Sequence, residues 1–285
     1  MWIDTFPAFV DFWDLAKGRC LNDQIEKWAN VYLSPWPELL AKQTEDYASQ
    51  NVDWREIARD KIFPFLEQRL EKMNQAHTNL LALCGTTFLD AKRILQFEVE
   101  AIFVIHVGIG CGAGWVTTFQ DSPAILLGLE NIVENDWQET DSLKGLLTHE
   151  IGHLLHYHWR SQCGNELKDS AWTRLFDEGF AQYCEGLLSQ AGQFHQDASG
   201  RSDDWLMWCE SHKAWLAAEF LRVVHANESA SKFFGSWFEI EGQSETGYFL
   251  GYEVIRNLSQ KGMALKEIAA LDPEEVAEPI LRGMI

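Results

Sequence analysis

His149, Glu150 and His153 stand at i, i+1 and i+4 in Leu146-Leu147-Thr148-His149-Glu150-Ile151-Gly152-His153-Leu154-Leu155-His156, an otherwise apolar run. At about 100° per residue, His153 falls about 40° and Glu150 about 100° from His149, so all three point into one sector of a helix. Two imidazoles placed this way can share one Zn²⁺, and a carboxylate at i+1 lies beside the cation, where it can take a proton from a water. This is HExxH chemistry, with Glu150 as general base. His–Glu pairs of the same spacing also occur as ordinary helix contacts. Burial among Leu143, Leu147, Ile151 and Leu154 makes unpaired His and Glu costly, which favours the metal reading.

A catalytic zinc takes three protein ligands and keeps one position open. Glu178, in Ala171-Trp172-Thr173-Arg174-Leu175-Phe176-Asp177-Glu178-Gly179-Phe180-Ala181-Gln182-Tyr183-Cys184-Glu185, is the expected third metal ligand beside His149 and His153. The 24 residues from 154 to 177 suffice for the end of one helix, a loop and the start of an antiparallel neighbour. Gly179 should let those two helices approach closely. The apolar neighbours Phe176, Phe180 and Ala181 argue against an ordinary surface acid.

The elements that must position these groups follow from periodicity. Residues 1–95 read as an N-terminal helical region, with apolar residues at threes and fours and a kink or break at Pro64. His77 reads there as a surface residue. From Phe97 the pattern alternates and then turns wholly apolar through Val107, as a strand does on entering a sheet. Three strands are expected over about 97–130, with glycines 108, 110, 112 and 114 in a flexible turn that lacks the Lys-Ser/Thr ending of a phosphate loop. His106 reads as a satisfied sheet histidine. Asp141-Ser142 is an N-cap candidate for the HExxH helix, expected to reach about Trp159, and a polar loop from Ser161 to Asp169 ends at another cap candidate. His156 reads as packing and His158 as exposed. Trp205 to Val224 reads as one long helix with Leu206, Trp215, Leu216 and Phe220 in the core, and Asp272-Pro273 starts a last short helix. The fold class is α+β: residues 96–285 form one domain with a small mixed sheet, active-site helices over about 143–189 and a helical remainder.

HEIGH followed by Glu-Gly-Phe-Ala-Gln-Tyr resembles the gluzincin metallopeptidases, the group of thermolysin-like proteases and aminopeptidases, and especially their smaller zinc-protease relatives. The resemblance covers about Ile125 to Tyr252. It implies a zincin-like fold, Zn²⁺ on His149, His153 and Glu178, and Glu150 as general base, with the Ser161–Asp169 loop as an insertion. It also implies a substrate-binding role for Gly128, Glu130 and Asn131 at a sheet edge, where Glu130 would hold a free amine, although the spacing is one residue shorter than in that pattern. Thr246-Gly247-Tyr248-Phe249-Leu250-Gly251-Tyr252 is similar to the segment that supplies an oxyanion-stabilising tyrosine, with Tyr248 the first choice and Tyr252 the second. Both can equally be read as core aromatics.

Composition narrows the partners. With 23 basic and 43 acidic residues the net charge is −20, which repels phosphate backbones and anionic lipid surfaces. A peptide or protein substrate is expected, with no nucleic acid and no membrane. No window is long and apolar enough for a span. The first residues, interrupted by Asp4, Asp11 and Asp14, do not read as a signal peptide. Cys20, Cys84, Cys111, Cys163, Cys184 and Cys209 form no CxxC pair, which favours reduced thiols and a cytoplasmic setting. Two other functions stay open: a peptide-binding module of zincin descent without catalysis, and a deformylase-like metal amidase with Cys111 as a ligand.

Overall fold

The computed structural model describes residues 1–164, 168–189, 203–234 and 238–285. It is a mixed α+β protein whose described residues pack as two compact units, one of residues 1–89 and 100–147, the other of 90–99 and 148–285. The packing does not divide at residue 95, because the chain's first residues form a strand.

In the first unit, β1 (Trp2–Asp4) leads into α1 (Phe6–Ala16), α2 (Leu21–Lys27), α3 (Pro37–Ser49), α4 (Trp54–Ile57) and α5 (Leu66–Leu95), which runs on into the second unit. Pro7 opens α1, where a missing N–H costs nothing, and Phe6, Phe9, Phe12, Trp13 and Ala16 recur at helical spacing on its buried face. Pro64 falls in a 3-10 turn, Phe63–Phe65, that ends one helical stretch before α5 begins. His77 is no free surface residue: its Nε2 lies 2.9 Å from Asp4 Oδ2.

The sheet has the order β1-β2-β4-β3, formed with β2 (Ile102–His106), β3 (Gly114–Phe119) and β4 (Ser122–Gly128). β1, β2 and β4 are parallel and β3 is antiparallel to β4. The hairpin turns at Gln120 and Asp121, both with positive φ (50° and 58°), the backbone that matches strand twist in a two-residue turn. β2 is buried at every position, as its apolar sequence requires of an inner strand. α6 (Leu129–Glu134) follows β4 without a loop, and α7 (Thr140–Gln162) carries HExxH from the first unit into the second. It begins before the expected Asp141-Ser142 cap.

The second unit continues with α8 (Ala171–Leu188), α9 (Asp203–Ser211), α10 (Lys213–His225), the two-residue strands β5 (Glu239–Ile240) and β6 (Gln243–Ser244), α11 (Thr246–Gln260), α12 (Leu265–Ala269) and α13 (Pro273–Arg282). Residues 165–167 of the expected Ser161–Asp169 loop lie outside the described residues. The cap of α8 is Ser170, whose hydroxyl accepts from the Thr173 amide, rather than Asp169. The long helix expected over 205–224 breaks at His212, and Trp215 is 40% exposed instead of joining the core. Asp272 caps α13 as its sequence implies, accepting from the amides of Glu274 and Glu275.

Three glycines of the second unit set helix distances. A Cβ on Gly152 would lie 2.6 Å from Ala181 Cα, so this glycine of HEIGH brings α7 against α8. Gly179 was expected to serve that contact but serves another: its Cβ would strike the backbone of Gly251, so it brings α8 against α11.

Candidate metal centre

Pairings between α7 and α8 run in opposite senses. His149 meets Glu185, Gly152 meets Ala181 and His156 meets Asp177, so the two helices are antiparallel. This register brings Glu178 to the imidazole pair. His149 Nε2 and His153 Nε2 are 3.1 Å apart, and Glu178 Oε2 lies 3.3 Å from the first and 3.4 Å from the second. Three ligand atoms at about 2.0–2.1 Å from one tetrahedral cation would be separated by about 3.3–3.4 Å. The observed sides, 3.1, 3.3 and 3.4 Å, are close to these separations, so the triangle could hold a small divalent cation.

The donor chemistry fits as well. Glu178 Oε2 is buried and in ion-pair range of both imidazoles, yet neither contact is aligned as a hydrogen bond, so the oxygen is left without a donor. The three side chains keep 12%, 10% and 16% of their surface, so the cluster is largely buried without being sealed. Among the described residues this is the group of metal-capable side chains that converges on one point.

Charged groups behind the ligands complete the arrangement. His153 Nδ1 faces Asp177 Oδ1 at 3.0 Å, and His149 Nδ1 faces Glu185 Oε2 at 3.4 Å. Gln182 Nε2 donates to the same Glu185 oxygen at 2.8 Å. His156 Nδ1 and the Tyr157 hydroxyl donate to the two oxygens of Asp177 at 2.7 and 2.6 Å. Carboxylates facing the second nitrogen of a ligating histidine fix its tautomer and strengthen it as a ligand.

The electrostatics ask for positive charge. Burial pulls His149 down, but Glu178 and Glu185 override it and hold the imidazole at about 9; His153 is raised well above its ordinary value by Asp177 and Glu178 against the same burial. Burial pushes Glu178 up, and the two imidazoles more than reverse this, to about 2. Glu150 is buried, and desolvation raises its carboxyl above the ordinary range despite the nearby imidazoles.

The two tyrosines of α11 part company. The ring of Tyr248 stacks on His149 with centroids 6.0 Å apart, whereas Tyr252 packs against Tyr183 at 5.7 Å and under the Arg256 guanidinium. Geometry brings Tyr248 to the metal ligands.

Gly128, Glu130 and Asn131 do not lie at a sheet edge. β4 is an inner strand, with Gly128 paired to His106 of β2. Glu130 is buried and its two oxygens accept from the amides of Gly108 (2.7 Å) and Gly110 (3.2 Å), while Asn131 Oδ1 accepts from Gly112 (3.1 Å). Burial pushes Glu130 up to about 7, against the pull of these amides. The expected amine anchor is thus spent on the chain's own glycine loop, which is pinned rather than flexible. Cys111, in that loop, points its thiol at the Gln43 carbonyl (3.6 Å), and burial raises its pKa, the opposite of what a thiolate ligand requires. His106 was expected to be satisfied, but its Nδ1 is buried without a hydrogen-bond partner among the described residues.

Sequence reasoning missed Asp177, Glu185 and Tyr157 and underrated His156. Glu185 lies seven residues after Glu178, two turns along the same face, and that spacing was a usable signal. Tyr157 and His156 carried none until α8 was placed. No family model, curated protein or solved structure matches the chain.

Proposed function

We propose that this chain is a zinc-dependent peptide hydrolase of gluzincin type, built on a zincin-like core. The observation that carries the reading is the triangle of His149, His153 and Glu178, whose sides match the edges of a tetrahedral zinc site and one corner of which is a carboxylate oxygen lacking a donor. The negative net charge and the amides already taken in the glycine loop both disfavour phosphate-bearing substrates. Six free cysteines suit a reducing, cytoplasmic setting. No described helix is long and apolar enough to cross a membrane.

Bound Zn²⁺ supplies Lewis acidity and a lowered pKa for water in its open position. His149 and His153 from α7 and Glu178 from α8 would hold it. Glu150 takes the proton of the attacking water and passes it to the leaving amine; a carboxyl raised by burial is closer to the pH at which it must do both. The Tyr248 hydroxyl donates to the oxyanion that develops on the substrate carbonyl.

The test is Glu150→Gln, assayed for metal content and for cleavage of a mixed peptide library. It should keep one equivalent of zinc and lose turnover by orders of magnitude. Normal hydrolysis by this variant would sink the mechanism. Retention of a peptide by wild-type protein without cleavage would favour the binding-module reading instead.

A further inference from the structure

Asp177 does more in this arrangement than join two helices. Its Oδ1 faces Nδ1 of His153, a ligand imidazole, at 3.0 Å, and the same oxygen accepts from His156 Nδ1 at 2.7 Å. Its Oδ2 accepts from the Tyr157 hydroxyl at 2.6 Å. Both oxygens are therefore gripped, by residues three and four positions after His153 on the same helix, and the carboxylate cannot turn away from the ligand it faces. His156 is completely buried and stacked on Phe180 (4.9 Å), which fixes the inner grip. The Tyr157 ring lies parallel to His153 at 6.1 Å and is 37% exposed, so the outer grip closes the solvent side.

Asp177 Oδ1 is in ion-pair range of His153 Nδ1 without being aligned as a hydrogen bond, and its negative charge on that side favours the His153 proton at Nδ1 and the Nε2 lone pair for a cation. The opposite tautomer would put an N–H into the centre of the triangle. The carboxylate behind His149 stands farther off, with Glu185 Oε2 at 3.4 Å from Nδ1 and accepting from the Gln182 amide.

We infer that Asp177, clamped by His156 and Tyr157, is a positioning residue that sets how tightly the cluster holds its cation, so that Tyr157, which is not a ligand, contributes to metal affinity through it. This rests on the reading of His149, His153 and Glu178 as a cation site. The coupling is directional: Tyr157 acts only through Asp177.

The experiment uses the full chain, with Zn²⁺ affinity from chelator competition and the visible spectrum of the Co²⁺-substituted protein. Asp177→Asn keeps the shape and removes the charge, and should weaken Zn²⁺ binding about 10- to 100-fold and change the Co²⁺ bands. Tyr157→Phe, which deletes only the hydroxyl of a partly exposed side chain, should weaken it roughly three- to tenfold and shift the same bands less. In the Asp177→Asn background the Tyr157→Phe loss should vanish, which a merely structural tyrosine would not do. Tyr183→Phe removes a hydroxyl from α8 instead, one that bonds Ser259, and should bind Zn²⁺ like wild type. Wild-type affinity and an unchanged Co²⁺ spectrum in both Asp177→Asn and Tyr157→Phe overturn the inference while the metal reading stands. If wild-type protein binds neither Zn²⁺ nor Co²⁺, both fall. Should Asp177→Asn not fold, Tyr157→Phe alone decides by the same measurements.

Discussion

Gly179 and Gly251 put the backbones of α8 and α11 in direct contact: a Cβ on Gly179 would lie 2.1 Å from the Gly251 carbonyl carbon, and one on Gly251 would lie 2.1 Å from Leu175 O. This crossing holds Tyr248 against His149 and fixes the helix turn that carries Glu178. Gly251→Ala must push the helices apart, because the obstructing atoms are backbone. We expect a loss of about 1–3 kcal/mol or more in denaturant unfolding, together with weaker zinc binding. Gly85→Ala, in α5 with nothing within 4 Å of the added methyl, is the control and should gain up to about 1 kcal/mol. Equal midpoints for Gly251→Ala and wild type would contradict the close crossing.

Tyr248→Phe and Tyr252→Phe should separate sharply. Loss of an oxyanion donor costs about 10²–10³ in kcat, and of these two tyrosines Tyr248 is the one stacked on a ligand histidine. Tyr252→Phe should retain near-normal kcat, its ring being packed on Tyr183. Steady-state kinetics on a cleaved library peptide provide the measurement, and a larger kcat loss at Tyr252 would reverse the assignment.

Much of this site could be read from the sequence because its signals are local. HExxH is defined within five residues, and Glu178 drew notice as a carboxylate in an apolar helix. What could not be read depends on partners far along the chain. β1 is three residues long and is a strand only because Ile3 pairs with Val104, a contact no local period records. α6 is a six-residue helix following directly on β4, too short for its spacing to show. The break at His212 has no Gly or Pro to announce it. Gly179 permits a close approach, but the approaching helix comes from 72 residues later, at Gly251. Asp177 was visible as an acid and invisible as a clamp, since that role requires the antiparallel register of α7 and α8.

Metal analysis of two variants distinguishes the ligand sets. Glu178→Ala removes one corner of the triangle and should lower zinc occupancy steeply at micromolar metal. Cys111→Ser should bind zinc like wild type, because that thiol is turned to the Gln43 carbonyl and raised by burial. The reverse pattern would restore the deformylase-like reading.

Glu130 makes stability fall with rising pH over a defined window. Its folded value of about 7 lies above the ordinary carboxyl value of about 4.5, so the folded state binds the proton more tightly than the unfolded chain. The contribution is fully present below about pH 4.5 and is lost as pH rises towards 7, with a total on the order of 3 kcal/mol. Glu130→Gln does not titrate, so the difference in unfolding free energy between wild type and this variant should shift against wild type across that window. A constant difference from pH 4.5 to 8 would show that the two amide hydrogen bonds outweigh burial.

Glu130 also acts as a built-in counter-anion for the β2–β3 connection. The amides of Gly108 and Gly110 already point at its oxygens and that of Gly112 at Asn131, so a phosphate arriving from solution would have to displace a tethered competitor whose effective concentration is millimolar or above. While α6 stays folded, the amides of the most glycine-rich stretch of the chain already have their acceptors, and a phosphate would meet a tethered acid where it would need free N–H groups.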